Sequence, residues 1–189
     1  QRRYQAVRLN KLGLHQLNRG EFRKALNNFE QALVIFREIR ERQGEGAILN
    51  SIGEVYRNLR KYTKALDYYQ QSLAISKQIG DKPVEGTTLN NIGLVYYRLE
   101  EYRKALDYFQ QSLAISKQIG DKSGEGTTLN SIGFVYRKLR EYPKALDYYQ
   151  QALTIRKLLD DKSGEGDTLD NIGLVYYRLG KYKKALDYF

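Results

Sequence analysis

Apolar residues recur along this chain with the spacing of one face of an α-helix. In segment 44–59 they are Leu49, Ile52, Val55, Tyr56 and Leu59. This is the i, i+3, i+4, i+7 pattern, and segment 62–79 carries a second stripe of the same kind. No segment alternates apolar and polar residues as a half-buried strand would. The pattern predicts an all-α protein of about ten helices, the last one cut short.

Residues at the expected helix boundaries agree with this prediction. Gly80 and Gly120 follow the second stripe, where glycine accepts a left-handed conformation at little cost. Asp81 and Asp121 come next, at the position of an N-cap for the following helix. Each pair of stripes is therefore interpreted as two helices joined by short turns.

A shift of 40 residues superimposes the chain on itself, so the helices belong to a repeat. The letters Lys-Ala-Leu-Asp-Tyr stand at 64–68, 104–108, 144–148 and 184–188. We predict a single array, 1–189, with repeats at about 1–43, 44–83, 84–123, 124–163 and 164–189, the last one truncated. These are called repeats 1 to 5 below. A weaker period of 80 is visible in one column, which reads Arg57, Tyr97, Arg137 and Tyr177.

The repeat resembles the tetratricopeptide repeat (TPR). The family's first-helix pattern matches Leu89, Ile92, Gly93 and Tyr96, and its second-helix pattern matches Tyr102, Ala105, Phe109 and Ser112. The period of 40 is longer than the family's usual 34, so the chain is most similar to long-repeat members such as kinesin light chains and bacterial, especially cyanobacterial, arrays. The resemblance implies a right-handed superhelical solenoid of stacked antiparallel helix pairs, whose first helices line a concave face.

The variable, outward positions of the first helices form a surface that we call the candidate face. Its first column is Asn10, Asn50, Asn90, Asn130 and Asp170. Its second column includes Leu94, Phe134 and Leu174, and its third is Arg57, Tyr97, Arg137 and Tyr177. Its fourth includes Arg98, Lys138 and Arg178. By the resemblance, these columns lie on the concave side.

This set of side chains is typical of a peptide-binding groove. An Asn amide both donates and accepts, so a ladder of Asn residues suits an extended peptide backbone. Exposed Leu94, Phe134 and Leu174 offer apolar contact area, and the Arg side chains attract carboxylates. In the competing interpretation, the Asn residues bond water and neighbouring helices, and the Arg residues are merely solvated.

Charge and composition narrow the range of functions. The net charge is +10, of which residues 1–43 carry +6, whereas residues 84–123 carry none. A continuous basic stripe for nucleic-acid phosphates is therefore interrupted, and an acidic peptide is the preferred partner. There is no Cys, and the one His is His15. We predict no enzyme activity, no catalytic residue, no metal site and no small-molecule cofactor.

The sequence thus favours a protein–protein interaction scaffold that binds a peptide or a partner segment. One alternative is a sensor array that controls a fused effector domain, and a less favoured one is single-stranded nucleic-acid binding. We expect a cytoplasmic protein without membrane contact. End-to-end association of chains is also expected, because no polar capping helix covers the ends.

Overall fold

The computed structural model describes residues 1–189 and contains ten α-helices and no strand. The helices are α1 (Arg2–Asn18), α2 (Phe22–Glu38), α3 (Arg42–Asn58), α4 (Tyr62–Ile79), α5 (Lys82–Arg98), α6 (Tyr102–Ile119), α7 (Lys122–Lys138), α8 (Tyr142–Leu158), α9 (Lys162–Arg178) and α10 (Tyr182–Leu186). The predicted all-α class and the short last helix are confirmed.

The chain forms two compact units, Gln1–Val95 and Tyr96–Phe189. In the first unit α1 contacts α2, α2 contacts α3, and α3 contacts α4. In the second unit each helix from α6 to α10 contacts the next one along the chain. Because one helix pair leaves an apolar face uncovered, its neighbours bury that face in turn. Each unit is therefore a stack of helices rather than a cluster around one centre.

A glycine in the first helix of a pair lets an aromatic ring of the second helix lie directly on the backbone. A Cβ atom at Gly53 would stand 2.6 Å from a ring carbon of Tyr69, which is fully buried. Gly133 is covered by the ring of Tyr149 in the same way. Both glycines are buried, as expected of residues that permit close helix approach.

The turns between helices use the left-handed backbone conformation. Gly80 and Gly120 have φ angles of 73° and 71°, which confirms their predicted role after the second helix. In the turns that follow α3 and α7 the equivalent residues are Arg60 and Arg140, with φ angles of 58° and 60°. A residue with a Cβ costs about 1–2 kcal/mol in this conformation, so these two turns are strained.

The predicted N-caps form where Asp precedes a first helix. Asp81 Oδ1 accepts a hydrogen bond from the backbone N–H of Val84 at 3.2 Å, and Asp121 Oδ1 accepts one from that of Gly124 at 2.9 Å. Asp161, which was not predicted, caps α9 in the same way by accepting from Gly164 at 2.9 Å. Helix α3 begins differently, because its N-cap residue Glu41 makes no side-chain cap bond. The entry to repeat 2 therefore lacks a stabilising contact that the entry to repeat 4 has.

Candidate functional site

The Asn column connects helices and also presents amide groups. Asn50 Oδ1 accepts hydrogen bonds from Thr88 Oγ1 and from Asn91 Nδ2, both at 3.2 Å. These two bonds join α3 to α5. The oxygen of Asn50 is therefore used inside the protein, as the competing interpretation of the sequence expected for the Asn residues.

Three other Asn side chains turn their oxygens inward without finding a donor. The Oδ1 atoms of Asn10, Asn90 and Asn130 are buried and accept no hydrogen bond. The amide nitrogens of these three residues and of Asn50 donate no bond within the chain and are not among the buried unpaired atoms. These nitrogens are therefore not fully enclosed, but Asn10, Asn50 and Asn130 are only partly exposed, and Asn90 is buried, with 8% of its surface exposed. Asp170, the fifth member of the column, is exposed and offers a carboxylate instead.

In repeat 2 the Arg of the candidate face is neutralised by its own helix. Arg57 Nη2 donates to Glu54 Oε1 at 3.1 Å, one turn away. The Arg57 side chain is only 18% exposed, and its charge lies beside the buried hydroxyl of Tyr69. Burial raises the pKa of Tyr69 well above its ordinary value, and the charge of Arg57 opposes that shift.

In repeat 4 an aromatic residue replaces the acid. The Phe134 ring lies 6.2 Å from that of Tyr97 and 6.1 Å from that of Tyr149, and the Arg137 guanidinium lies 6.0 Å from the Phe134 ring. Burial raises the pKa of Tyr149 to about 12, although the charge of Arg137 works in the opposite direction. Arg137 thus sits in an aromatic setting with no carboxylate beside it.

Arg137 opens into a cavity of about 420 Å³ that we call the cationic cavity. Its lining residues are Arg137, Lys138, Arg140, Tyr142 and Arg178. None of the four cations forms an ion pair with a carboxylate of the chain. Neighbouring basic residues do: Lys144 pairs with Glu141 at 2.5 Å. Four positive charges without an acidic partner therefore lie together in this cavity.

Two of these lining residues were not predicted from the sequence. Arg140 lies in the turn after α7 and Tyr142 begins α8, so neither falls on the helical spacing that defined the candidate face. Arg140 could have been singled out from the sequence by comparing equivalent turn positions, since these are basic at Arg60 and Arg140 but acidic at Glu100.

The remaining predicted residues differ in exposure. Leu94 and Phe134 are partly buried, whereas Leu174 is 38% exposed and Tyr177 54% exposed. Arg98, Lys138 and Arg178 are exposed, and Tyr97 is partly buried. Of the three residues predicted to offer apolar contact area, only Leu174, near the C-terminal end of the second unit, is therefore exposed.

Two further properties bear on the chemistry. No set of three or more His, Asp or Glu side chains is grouped so that it would hold a metal ion. None of the helices combines the length and the apolar composition needed to cross a bilayer.

Solved structures with a similar fold come from several kinds of protein. A Rap conjugation gene regulator, solved in complex with the Phr* peptide, matches with a TM-score of 0.82 and 18% identity, over 93% of this chain and 49% of that one. A signal-transduction ATPase with a TPR sensor from Pyrococcus horikoshii matches with a TM-score of 0.81 and 26% identity, over 95% and 28%. A kinesin light chain from Podosopora anserina with nearly identical TPR-like repeats matches with a TM-score of 0.74 and 13% identity, over 100% and 92%.

The chain spans about half of the Rap regulator and about a quarter of the ATPase. No curated protein sequence matches it at a significant level. A profile of the tetratricopeptide repeat, however, matches residues 4–78, 44–118 and 124–189. These matches cover almost the whole chain, and they include the Gly, Ala and aromatic positions whose packing forms each helix pair. The chain belongs to the tetratricopeptide-repeat family.

Proposed function

We propose that this chain binds an extended peptide, or an extended segment of a partner protein, along the candidate face. The observation that carries the proposal is the set of amide donors of Asn10, Asn50, Asn90 and Asn130, one in each of the first four repeats, which donate no hydrogen bond inside the chain. An extended peptide presents backbone carbonyls at regular intervals, and an Asn N–H group can donate to a carbonyl regardless of the peptide's side chains.

Pre-organisation favours binding by the Asn50 amide. The Asn50 oxygen accepts two bonds, which fix the plane of its amide before any ligand arrives. A donor that is already oriented loses little conformational entropy on binding, so more of the hydrogen-bond energy contributes to affinity. The mechanism is reversible docking without a chemical step.

The other columns supply selectivity. Leu174 and Tyr177 expose apolar surface, and the four unpaired cations of the cationic cavity favour an acidic ligand. The Rap regulator, which has a similar fold, was solved with a bound peptide, and this supports peptide binding at the level of architecture. An acidic peptide with apolar anchors is the ligand we propose.

The test uses peptides selected from a random displayed library, titrated against purified protein. Replacing Asn90 and Asn130 together with Ala removes two donors and should weaken binding about tenfold, since a neutral hydrogen bond contributes about 0.5–1.5 kcal/mol. Asn27→Ala, on an exposed position of α2, is the matched control and should leave affinity unchanged. If the double variant keeps its helical circular dichroism and binds as tightly as the parent, the Asn ladder is not the binding surface.

A second candidate is a sensor array that controls a fused effector domain. The match to the TPR sensor of the ATPase favours it. Comparing the activity of the full-length protein with and without these repeats tests it, and equal activity under all ligand conditions would contradict it.

A further inference from the structure

The cationic cavity holds more positive charge than the fold requires. Three of its cations, Arg137, Lys138 and Arg140, lie at or just after the end of α7, and Arg178 ends α9. Basic residues at a helix C-terminus offset the negative end of the helix dipole, which amounts to about half a charge per helix. Two helix ends therefore account for about one of the four positive charges, and about +3 remains uncompensated.

Repeat 2 shows that this excess is not a property of the module. There, Arg57 is bonded to Glu54, and the position equivalent to Lys138 is Asn58. Repeat 4 has lost the acid and gained a cation at the same two positions, and Phe134 now flanks Arg137 with an aromatic face. Both changes raise the positive potential where the cavity opens.

We propose that the cationic cavity binds the phosphoryl group of a phosphorylated Ser, Thr or Tyr residue in the peptide partner. This proposal rests on the peptide-binding function and adds a modification-dependent site to it. A phosphoryl group carries about −1.5 to −2 charges near neutral pH and three acceptor oxygens. Guanidinium groups present paired N–H donors that match phosphoryl oxygens, and three of the four cations are Arg.

The charge balance favours a phosphoryl group over a single carboxylate. A carboxylate would compensate one of about three excess charges and would accept through two oxygens, whereas the phosphoryl dianion compensates two. The cavity volume of about 420 Å³ is within the range of small-ligand sites, so it also accommodates the side chain that carries the group.

A nucleic acid is the less suitable source of phosphate. Its backbone requires a continuous track of cations, whereas residues 84–123, the repeat before the one that carries most of the cavity, have no net charge. Single-stranded oligonucleotide is therefore included in the test as an outcome that would overturn the proposal.

The first experiment uses inorganic phosphate, with the Arg Nε–Hε resonances as the readout. Phosphate should shift the resonances of Arg137, Arg140 and Arg178, and its affinity should fall between pH 7.5 and pH 5.5 because the dianion takes up a proton over this range. Sulfate stays a dianion over this range, and no His or carboxylate lines the cavity, so its affinity should stay constant. Equal pH dependence for the two ions, or no shift at all, would overturn the proposal.

The second experiment compares two substitutions at strained turns. Arg140→Gly removes a cavity cation while relieving a positive φ angle, so the variant should fold at least as stably as the parent. Arg60→Gly removes the same charge from an equivalent turn and is the matched control. Affinity for a phosphoserine peptide should fall about tenfold in the first variant and stay unchanged in the second, since one charge-assisted hydrogen bond contributes about 1.5 kcal/mol or more.

The peptide is synthesised with Ser, Glu or phosphoserine at the same position. Tighter binding of the phosphoserine form alone supports the cavity as a phosphoryl site. Equal binding of all three forms overturns the phosphoryl-site proposal but leaves the proposed peptide binding intact. If the Asn90 and Asn130 double variant loses binding of all three forms, that loss supports the Asn ladder as the peptide-binding surface and does not bear on the cavity. Tighter binding of an oligonucleotide than of the phosphoserine peptide, lost in Arg140→Gly, would assign the cavity to nucleic acid.

Discussion

Repeats 2 and 4 are two copies of one module that keep the same packing and present different surfaces. In both, a Gly in the first helix is covered by a buried Tyr, and an Arg lies beside that Tyr hydroxyl. The difference begins one turn away, where Glu54 pairs with Arg57 but Phe134 leaves Arg137 without an acid. Residues that hold the helices together are copied, whereas residues that face outward are free to diverge.

This comparison separates stability from recognition. A pair inside one helix, such as Arg57 with Glu54, satisfies a partly buried cation locally and leaves little charge for a ligand. In repeat 4 the cation is supported by aromatic contacts instead, which stabilise it without neutralising it. The same Arg column therefore has a structural role in one repeat and is available for binding in the other.

The largest effect is expected where the two repeats agree. Gly53→Ala and Gly133→Ala each place a Cβ against a buried Tyr ring and should lower the free energy of unfolding by about 1–3 kcal/mol, measured by urea denaturation. Gly166→Ala is the control, because this helical position has open space around it and Ala should stabilise it by about 0.4–1 kcal/mol. Unequal costs at Gly53 and Gly133 would show that the packing of the two repeats differs after all.

The next effect concerns the Arg and the buried Tyr beside it. Repeats 2 and 4 combine Arg with Tyr69 or Tyr149, whereas repeats 3 and 5 combine Tyr97 or Tyr177 with a Phe at the ring position. Arg137→Tyr leaves the Tyr149 hydroxyl buried without a cation and should cost about 1–2 kcal/mol. Adding Tyr149→Phe should recover about 1 kcal/mol of this in a double-mutant cycle. If the stability losses of the two single variants simply add in the double variant, the residue at position 137 and the residue at position 149 do not interact.

Much of the fold followed from the sequence because it depends on local rules. Helical spacing and the Gly and Asp boundary residues predicted the helices, and a copied motif indicated stacking, since each copy has the same face to bury. The candidate face was harder to read. A helical column assigns Asn50 and Asn90 to the same role, yet the Asn50 oxygen bonds to α5 while that of Asn90 finds no donor.

The cationic cavity shows why a column of equivalent repeat positions is not enough to predict a binding site from the sequence. Its residues come from α7, the following turn, α8 and α9, so no single helical spacing relates them. Their grouping depends on where the turn at Arg140 and the end of α9 meet in space. The charge of Arg137 was visible in the sequence, but its unpaired state depends on Phe134 standing where Glu54 stands in repeat 2.

Exchanging those two residues tests the comparison directly. Phe134→Glu should recreate the internal ion pair of repeat 2 and weaken binding of inorganic phosphate about fivefold, because unit charges about 4 Å apart in water interact with about 1 kcal/mol. Phe134→Leu is the matched control, since Leu94 and Leu174 occupy this column in other repeats. Isothermal titration calorimetry measures the affinity of both variants for inorganic phosphate. Equal affinities would show that the absence of an acid at position 134 does not affect phosphate binding.

The smallest effect lies at the two helix entries. Glu41 and Asp121 are equivalent N-cap residues with similar backbone angles, φ and ψ of −88° and 92° against −75° and 87°, but only Asp121 accepts a cap bond. The longer Glu side chain instead points towards Arg3, with Oε2 at 3.6 Å from the Arg3 Nε, and this buried oxygen accepts no hydrogen bond. Glu41→Asp should therefore gain about 0.5–1 kcal/mol by accepting from the N–H of Gly44, and Asp121→Glu should lose about as much. Thermal unfolding at neutral pH measures both variants, and a stabilised Asp121→Glu would show that the cap bond does not account for the difference between the entries.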